Sequence, residues 1–599
     1  MLRNVAVAWI CMVVFLAAVS SLPAQTSGTG ALTGSVTDPS GAVVPNVTVK
    51  ATNTGTGQSR TSTTGSSGSY DFSLLPPGTY KIRFEAAGFK TLEVPAVNIA
   101  VTETETLDRA LELGAQTQEV TVTGAVEAVQ TASSSLGTVI DTRTVTEIPL
   151  STRNYTNLLS YSAGANASVN NATALGKGSQ DIAVNGAATS QNNFQMDGVS
   201  ILPIAGRGST LENGSYPAIG IPNPDAISEF KIQTSSYDAS YGRNPGANVN
   251  VVTKSGTNAF HGSAFDFFRN TSLNANDFFL NYSGKHGRLD QNQYGGTFGG
   301  PVKKDKLFFF TSYQYTWQKN GFTSWSLSNT VLPPIPSDRS AAGFQAALGA
   351  AISPLCPGSS NVNNSNDIAS SLAGSKPGAG KQVGTQVACN GSNINLVSLA
   401  ILQLKNPDGS YFIPGSSLPA QYQSVSFTIP AIYKEYQGMG NWDYVINSGN
   451  TLSGRYFVTT DPTLAPFSCG GTNVNAVGVC TPGVPINFQF GNHEAVLRLT
   501  SILSNTFVNE VRVSFQRNNT IDVDNVPWTN EQVGIQSVSP AVTKDIDTIV
   551  VSGEFQAGTW ILGNQTLFDN QEQYADQISW AHNKHAIRAG FEVETMQSN

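Results

Sequence analysis

The sequence is poor in charged side chains, and the small net charge that it carries is acidic. Asp, Glu, Lys and Arg make up 12% of its 599 residues, whereas about a quarter is usual in soluble proteins. The net charge at pH 7 is −8, so the basic surface typical of nucleic-acid-binding proteins is lacking and we expect no nucleic-acid partner. Abundant Gly, Ser, Thr and Asn favour β-structure with long polar loops over helical bundles.

Long hydrophobic runs are also lacking, except for one at the N-terminus. Arg3 precedes an uncharged apolar run from Val5 to Val19, and Leu22-Pro23-Ala24 offers a cleavage site before Gln25. The run could be a membrane anchor, but it is shorter than the roughly 20 residues that a spanning helix needs. We therefore predict that residues 1–24 are a secretory signal peptide and that the mature chain is exported. Any further membrane span must be built without an apolar helix.

Cysteines are few and lack metal-binding spacing. Cys11 falls in the signal peptide, and the others are Cys356, Cys389, Cys469 and Cys480. No Cys-x-x-Cys occurs, which argues against zinc. Exported proteins can keep disulfides, so we predict two local ones, between Cys356 and Cys389 and between Cys469 and Cys480.

Signatures of enzymes are missing as well. The sequence has neither a Gly-x-x-x-x-Gly-Lys-Ser/Thr phosphate loop nor a Gly-x-Ser-x-Gly nucleophile elbow. His582 and His585 flank a predicted turn, but no carboxylate or cysteine stands at ligand spacing beside them. We expect no catalytic residue, no metal site and no cofactor.

Residues 28–114 contain short β-runs separated by turn residues. "GSVTDPSGAVVPNVTV" and "GSYDFSLLPPGTYKIRFEAAGF" each place a turn between alternating strands, which predicts a small β-sandwich. Both stretches resemble the carboxypeptidase-regulatory-like domain. That resemblance implies a transthyretin-like sandwich, of the class of carbohydrate-binding-like folds, and implies no peptidase activity. The domain could bind carbohydrate, but a structural or partner-contacting role is the favoured interpretation.

The next segment, 115–125, contains a short β-prone stretch between polar flanks. Such a stretch can add to the edge of a partner's sheet, although an ordinary linker strand would have the same composition. "EVTVTG" resembles the TonB box of TonB-dependent outer-membrane transporters. The resemblance implies that a periplasmic energy transducer, TonB, binds this strand. Its residues are Glu119, Val120, Thr121, Val122 and Thr123.

Residues 126–256 resemble the plug domain of the same family, an α/β domain that fills a barrel. The match depends on "IAVNGAATSQNNFQMDGVSI" and on "ISEFKIQTSSYDASYGRNPGANVNVVTKSGTN". Gly246-Ala247 stands where most members have Gly-Gly. With the preceding sandwich, the pattern is closest to the Oar-like branch of the family. The motif residues are Asp197, Gly198, Val199, Tyr241, Gly242 and Arg243.

Residues 257–599 alternate apolar and polar side chains, as membrane barrel strands do. In "KLFFFTSYQYTWQKN" the apolar face is Leu307, Phe309, Tyr313, Tyr315 and Trp317, and the opposite face is Ser312, Gln314, Thr316 and Gln318. The first strand, "FHGSAFDFFRN", has Phe on both faces. We interpret its inner Phe residues as contacts to the plug.

The connections between these strands alternate between long and short. We predict roughly nine strands, starting near 259, 290, 306, 433, 450, 493, 506, 572 and 585. Membrane barrels have short periplasmic turns and long extracellular loops, which places both cysteine pairs in outer loops. A barrel that encloses a plug needs about 22 strands, and an open edge is not tolerated in lipid. We therefore expect the sequence to be a C-terminally truncated fragment.

These features predict an all-β dominated chain with an N-terminal sandwich, an α/β plug and the first part of a large antiparallel transmembrane barrel. The resemblance implies TonB-dependent active uptake across the bacterial outer membrane. The substrate would be a siderophore, an oligosaccharide or a peptide. The alternative is a non-transporting adhesion or signalling receptor on the same scaffold. In both cases the barrel contacts outer-membrane lipid, and the plug and sandwich face the periplasm.

Overall fold

A computed structural model describes most of the chain after the predicted signal peptide. The described residues are 28–114, 119–121, 135–167, 171–178, 182–202, 220–237, 239–242, 244–275, 287–332, 335–344, 395–415, 424–467, 480–536, 544–551, 555–559, 564–582 and 585–598. Residues 1–24, Val122, Thr123, Arg243 and three of the predicted disulfide cysteines, Cys356, Cys389 and Cys469, lie outside them. Within these ranges no helix is long and apolar enough to cross a membrane.

The first strands form the predicted sandwich. They are β1 (Gly30–Thr37), β2 (Thr48–Asn53), β3 (Ser59–Thr63), β4 (Ser69–Leu75), β5 (Gly78–Glu85), β6 (Thr91–Ile99), β7 (Thr104–Thr106), β8 (Arg109–Ala110) and β9 (Glu119–Thr121). One sheet has β1 between β4 and β7, with β8 also on β1, and the other has the order β3-β2-β5-β6-β9. Apolar side chains alternate inward from both sheets, so that Tyr70 packs edge-on against Phe72 and Phe84. The Tyr70 hydroxyl donates a hydrogen bond to the Leu107 carbonyl (2.7 Å), which satisfies its only buried polar group.

A second set of elements forms what we call the inner domain, residues 135–253. It contains β10 (Leu136–Asp141), α1 (Thr142–Glu147), β11 (Ala165–Ala167), β12 (Ile182–Val184), β13 (Asn193–Met196), β14 (Val199–Ser200), β15 (Ile227–Ser235) and β16 (Asn248–Thr253). Its main sheet has the order β10-β15-β16-β13-β14. Asp141 caps α1, since its carboxylate accepts a hydrogen bond from the Thr144 amide (2.9 Å). β16 is buried along its whole length.

The remaining elements are mostly long strands. They are β17 (His261–Arg269), β18 (Leu289–Lys303), β19 (Leu307–Asn320), β20 (Leu327–Val331), α2 (Leu396–Gln403), β21 (Ser424–Thr428), β22 (Ala431–Asn447), β23 (Asn450–Ala465), β24 (Ile486–Ser504), β25 (Phe507–Asp524), β26 (Ile549–Val551), β27 (Phe555–Ala557), β28 (Gln565–His582) and β29 (His585–Ser598). Nine of them form one antiparallel sheet with the order β17-β18-β19-β22-β23-β24-β25-β28-β29. The pairs β20–β21 and β26–β27 lie within the long connections.

The predicted nine strands and their two faces are confirmed. Gln314 on β19 is fully buried, whereas the neighbouring Tyr313 is 50% exposed. The strands are longer than the sequence predicted. A strand of about ten residues is enough to cross the bilayer, whereas β24 has 19 residues. Pairing of β23 with β24 continues to Ala465 and Ile486, beyond the predicted start near 493. Within the described residues β17 and β29 each pair with one strand of the sheet, so this sheet is open.

The aromatic side chains of β17 are divided between the two sides of the sheet. The guanidinium of Arg153, in the inner domain, lies 4.7 Å from the Phe265 ring and 3.9 Å from the Phe267 ring. Phe268, which follows, is 57% exposed. The interpretation that inner Phe residues contact the domain beneath them is therefore confirmed, and the contact is a cation–π contact.

Candidate functional site

The described part of the predicted TonB box, Glu119–Thr121, is a strand at the edge of the sandwich. β9 runs parallel to β6 and pairs Thr91 with Glu119, Leu92 with Val120, and Glu93 with Thr121. The sequence predicted a strand that adds to the sheet of another protein. In the structure the sheet that it extends belongs to the same chain.

The first plug motif forms a tight turn between β13 and β14. Asp197 has a φ of +49° and Gly198 a φ of +85°, a conformation that glycine adopts easily and that Asp tolerates better than most residues. The Asp197 carboxylate accepts hydrogen bonds from the Thr253 amide (2.9 Å) and the Thr253 hydroxyl (2.6 Å). Val199 begins β14 and is buried. The motif thus fixes the turn to the end of β16.

The second motif lies beyond the opposite end of β16. Tyr241 is buried, and its ring stands edge-on to Tyr237 with centroids 6.2 Å apart. Gly242 is described and follows it, whereas Arg243 is outside the described residues. The structure therefore does not bring the two motifs together: one precedes Asn248 and the other contacts Thr253.

A buried ion-pair cluster joins the Asp197 turn to the nine-stranded sheet. Arg455 on β23 forms salt bridges with Asp197 and with Glu494 on β24, and it donates to the Met196 carbonyl (3.1 Å). Burial raises the pKa of the Asp197 carboxyl, but Arg455 and Thr253 more than offset it, so the pKa stays below its usual value. Sequence reasoning missed Arg455 and Glu494. The available signal was that each is a charged residue on the inward face of a strand whose apolar and polar side chains alternate.

Side-chain amides of the sheet hold the backbone of the inner domain in further places. Gln437 accepts from the Asn223 amide (2.7 Å) and donates to the Ile221 carbonyl (2.6 Å). Gln573 likewise donates to the Ser200 carbonyl (2.7 Å). Apolar contacts are fewer here, and Phe310, Met439 and Phe457 of the sheet join the inner domain's core. The interface between inner domain and sheet is thus largely polar.

A second buried charge cluster joins the sandwich to β15 of the inner domain. The Glu229 carboxylate accepts from the Val101 amide (2.5 Å). Lys231 donates to the Thr102 carbonyl (3.2 Å) and pairs with Glu103 (3.2 Å). Burial raises the pKa of Glu229 to about 7, and Glu103 adds to the effect. Sequence reasoning missed this cluster too, although two charges on one face of a buried strand are an unusual pattern.

The sandwich also contacts the short-turn end of the nine-stranded sheet. Asn258, just before β17, donates from its amide to the Gly55 carbonyl (2.9 Å) and from its side chain to the Thr56 carbonyl (2.8 Å). Gln58 donates to the Thr451 hydroxyl (3.2 Å), next to the turn between β22 and β23. The sandwich therefore lies at the end of the sheet where the connections are short.

Attachment of the sandwich to the inner domain should weaken as pH rises. Between pH 4.5 and about 7, Glu229 is protonated when buried and ionised when released. The contribution of Glu229 to the attachment is therefore complete below pH 4.5, and up to about 3 kcal/mol of it is lost as pH rises through about 7. Pulsed electron–electron double resonance between spin labels at the exposed Asn98 and Ser448 should show a broader distance distribution at pH 8 than at pH 5.

The matched variant for this prediction is Glu229→Gln, which keeps an acceptor for Val101 but removes the titration. It should reduce the pH dependence without removing it, since burial also raises the pKa of Glu105, in the same cluster, to about 7. Lys231, Glu103 and Asp141 are the other charged groups near Glu229. An unchanged pH profile in Glu229→Gln would contradict the assignment of the effect to this carboxyl.

The long connections form a separate core with a cavity of about 590 Å³. Arg339 stacks on Tyr411 at 3.8 Å and donates to the carbonyls of Leu402 (2.8 Å) and Ile413 (2.6 Å). These bonds fix the loop backbone, so the role of Arg339 is structural.

Cys480 is disulfide-bonded, but the other cysteines lie outside the described residues, so both pairings stay predictions. Within the described residues no group of three or more His, Cys, Asp or Glu could hold a metal ion.

Comparison with known families decides the class of protein. The family model described as "Outer membrane beta barrel domain" matches residues 252–599. The chain belongs to this outer-membrane β-barrel family. A second model, "Carboxypeptidase regulatory-like domain", matches residues 31–112. The barrel family places the protein in the bacterial outer membrane, as predicted.

Relatives of this barrel protein are transporters and receptors. A curated relative, the TonB-dependent transporter Oar of Myxococcus xanthus, is 27% identical over 305 residues, which are 48% of this chain and 27% of that protein. The outer membrane transporter YddB from Escherichia coli aligns with a TM-score of 0.44 and 10% identity over 77% of this chain and 48% of its own. The siderophore receptor PirA from Acinetobacter baumannii aligns with a TM-score of 0.39 and 13% identity over 78% of this chain and 48% of its own. The chain thus spans about a quarter of the curated relative and about half of each solved structure.

Proposed function

We propose that the chain belongs to a TonB-dependent transporter that takes up its substrate actively across the outer membrane. In this proposal the inner domain is the plug, and Glu119 to Thr123 are the TonB box. The substrate belongs to the siderophores, oligosaccharides or peptides. The likeness to the Oar transporter over 305 residues supports the family's function. The protein works as a transporter and not as an enzyme.

One observation carries the proposal: a separate domain is held against the polar face of a membrane sheet mainly by hydrogen bonds and ion pairs. Gln437 and Gln573 bind its backbone, and Arg455 binds Asp197. Polar groups can exchange these partners for water, so separating such an interface costs much less than exposing an apolar core. A domain attached in this way can be displaced by an external pull and can return.

The box strand supplies the point at which the pull is applied. β9 precedes β10, the first strand of the plug, in the chain. A transducer that binds the box by strand addition can therefore transmit force along the backbone into the plug sheet. The sandwich, on the other side of the box, is bound to both the plug and the short-turn end of the barrel.

Uptake assays in a deletion strain test this function. Cells that express the protein should accumulate one of the labelled siderophore, oligosaccharide or peptide probes, and accumulation should fall to background when the TonB-type transducer is deleted. Binding of the probe to the cell surface should persist in that strain. Equal accumulation with and without the transducer would contradict active uptake, and surface binding without any accumulation would favour the non-transporting receptor.

A further inference from the structure

The edge of the sandwich sheet is an interaction surface that the proposed function leaves unexplained. β6 pairs with β5 on one side, where Leu92 faces Phe84 and Glu93 faces Arg83. On its other side the same short stretch of β6 pairs with the described part of the TonB box. We propose that this edge of β6 is a docking site for the chain's own TonB box, from which TonB must take the strand before it can pull the plug. The inference rests on the proposed function, because it needs Glu119 to Thr123 to be the box.

The course of the chain brings the box to this edge. After β8 the backbone crosses the turn that precedes β6. There the Lys90 amide donates to the Glu112 carbonyl (2.9 Å), and the Gly114 amide donates to the Gly88 carbonyl (3.1 Å). The box begins shortly afterwards, beside Thr91 at the start of β6. A sheet edge offers unpaired N–H and C=O groups to any extended segment that reaches it. Tethering so close to that edge gives the box a high effective concentration there.

The same edge limits how tightly the box is held. The pairing of the described residues reaches Glu93, and Pro95, which has no N–H to donate, follows two residues later. The register between β5 and β6 also shifts in this part of the strand. Proline and an irregular register are features that restrict strand addition at sheet edges. The site therefore accepts only a short strand, and a partner with a longer edge can compete for it.

Docking also places the box where a folded partner has little room. The sandwich is fixed to the plug through Glu229 and Lys231 and to the short-turn end of the barrel through Asn258. A box paired to β6 is consequently held against a fixed body. Successive residues of a strand direct their main-chain groups to opposite edges, so the three docked residues offer a second sheet only part of their hydrogen-bonding groups. Release from β6 makes the whole box available to TonB.

A reversible cross-link between β6 and the box tests the proposal in outer membranes that contain the protein. Glu93 and Thr121 are directly paired, so Glu93→Cys with Thr121→Cys should form a disulfide under oxidation. The probe is the purified periplasmic domain of the TonB-type transducer. Its capture by the oxidised variant should fall at least about tenfold relative to the same variant after reduction.

The matched control places a cross-link in the same sandwich but away from the box. Thr79 and Asn98 are exposed partners on β5 and β6, so Thr79→Cys with Asn98→Cys rigidifies the domain and leaves β9 free. Its capture should change less than about twofold on oxidation. The wild-type chain, oxidised and reduced, gives the baseline for the native cysteines.

The outcomes separate this inference from the proposed function. If the oxidised Glu93/Thr121 pair captures the transducer as well as the reduced pair does, the box is presented by β6 and need not leave it, and the inference is wrong. If no disulfide forms in membranes, the box does not dock on β6 and the inference is also wrong. If neither the reduced variants nor the wild-type chain capture the transducer, the TonB-dependent function itself fails.

Discussion

Replacing Val120 with proline is expected to abolish capture of the protein by the TonB-type transducer. Val120 is the central residue of β9, and strand addition depends on main-chain hydrogen bonds. Proline lacks the N–H and fixes φ near −65°, so it removes a ladder bond from a very short strand. Site-directed cross-linking of the box to the transducer in living cells should fall to background, and substrate accumulation should fall with it.

The control for this variant is Val120→Thr, which keeps the N–H, the β-branched shape and the preference for strands. It should cross-link to the transducer within about twofold of the wild type. Immunoblots of isolated outer membranes should show both variants in equal amounts, so that a loss of capture is not a loss of protein. Normal capture and uptake in Val120→Pro would show that the TonB box is elsewhere in the chain.

The barrel strands could be predicted from the sequence because their signal is local. A residue such as Gln314 faces inward and Tyr313 faces lipid whatever the rest of the chain does, since successive side chains of a strand point to opposite sides. The alternation of long and short connections is local in the same sense. Strand ends were predicted less well: β24 begins at Ile486, and its first buried side chains, Ile486, Phe488 and Phe490, are apolar where a polar inner face is expected.

The site residues could be predicted only where they formed a continuous motif. The Asp197-Gly198 turn was found, but its ion-pair partner Arg455 is separated from it by 258 positions. No local pattern predicts such a contact, because it depends on how the inner domain packs against the nine-stranded sheet. The docking of Glu119–Thr121 on β6 was missed for a related reason. A strand-prone segment indicates that it will pair, and the fold decides which edge is within reach.

Replacing Arg455 with methionine is expected to loosen the inner domain from the nine-stranded sheet. Arg455 is 4% exposed in its side chain and Glu494 is 1% exposed, so the buried Glu494 and the partly buried Asp197 would both lose their cation. Breaking a buried ion pair by removing one partner costs about 3 to 5 kcal/mol. Hydrogen–deuterium exchange should show faster exchange at Met196 to Val199 and in β16, and the thermal unfolding midpoint should fall.

Two further variants assign this loss to uncompensated charge and not to lost packing. Arg143→Met removes an arginine from an exposed pair with Glu147 whose side chains are 80% and 62% exposed, and such surface pairs contribute about 0 to 1 kcal/mol. Arg143→Met should leave hydrogen–deuterium exchange in the inner domain unchanged.

Adding Glu494→Gln to Arg455→Met removes one of the stranded charges and should restore part of the protection. The Asp197 carboxylate keeps its two hydrogen bonds from Thr253, so it tolerates the loss of Arg455 better than Glu494 does. If the double variant exchanges as fast as Arg455→Met alone, the guanidinium holds the inner domain through its bond to the Met196 carbonyl and not through the carboxylates. The ion-pair explanation would then be wrong, although the position of the inner domain against the nine-stranded sheet would stand.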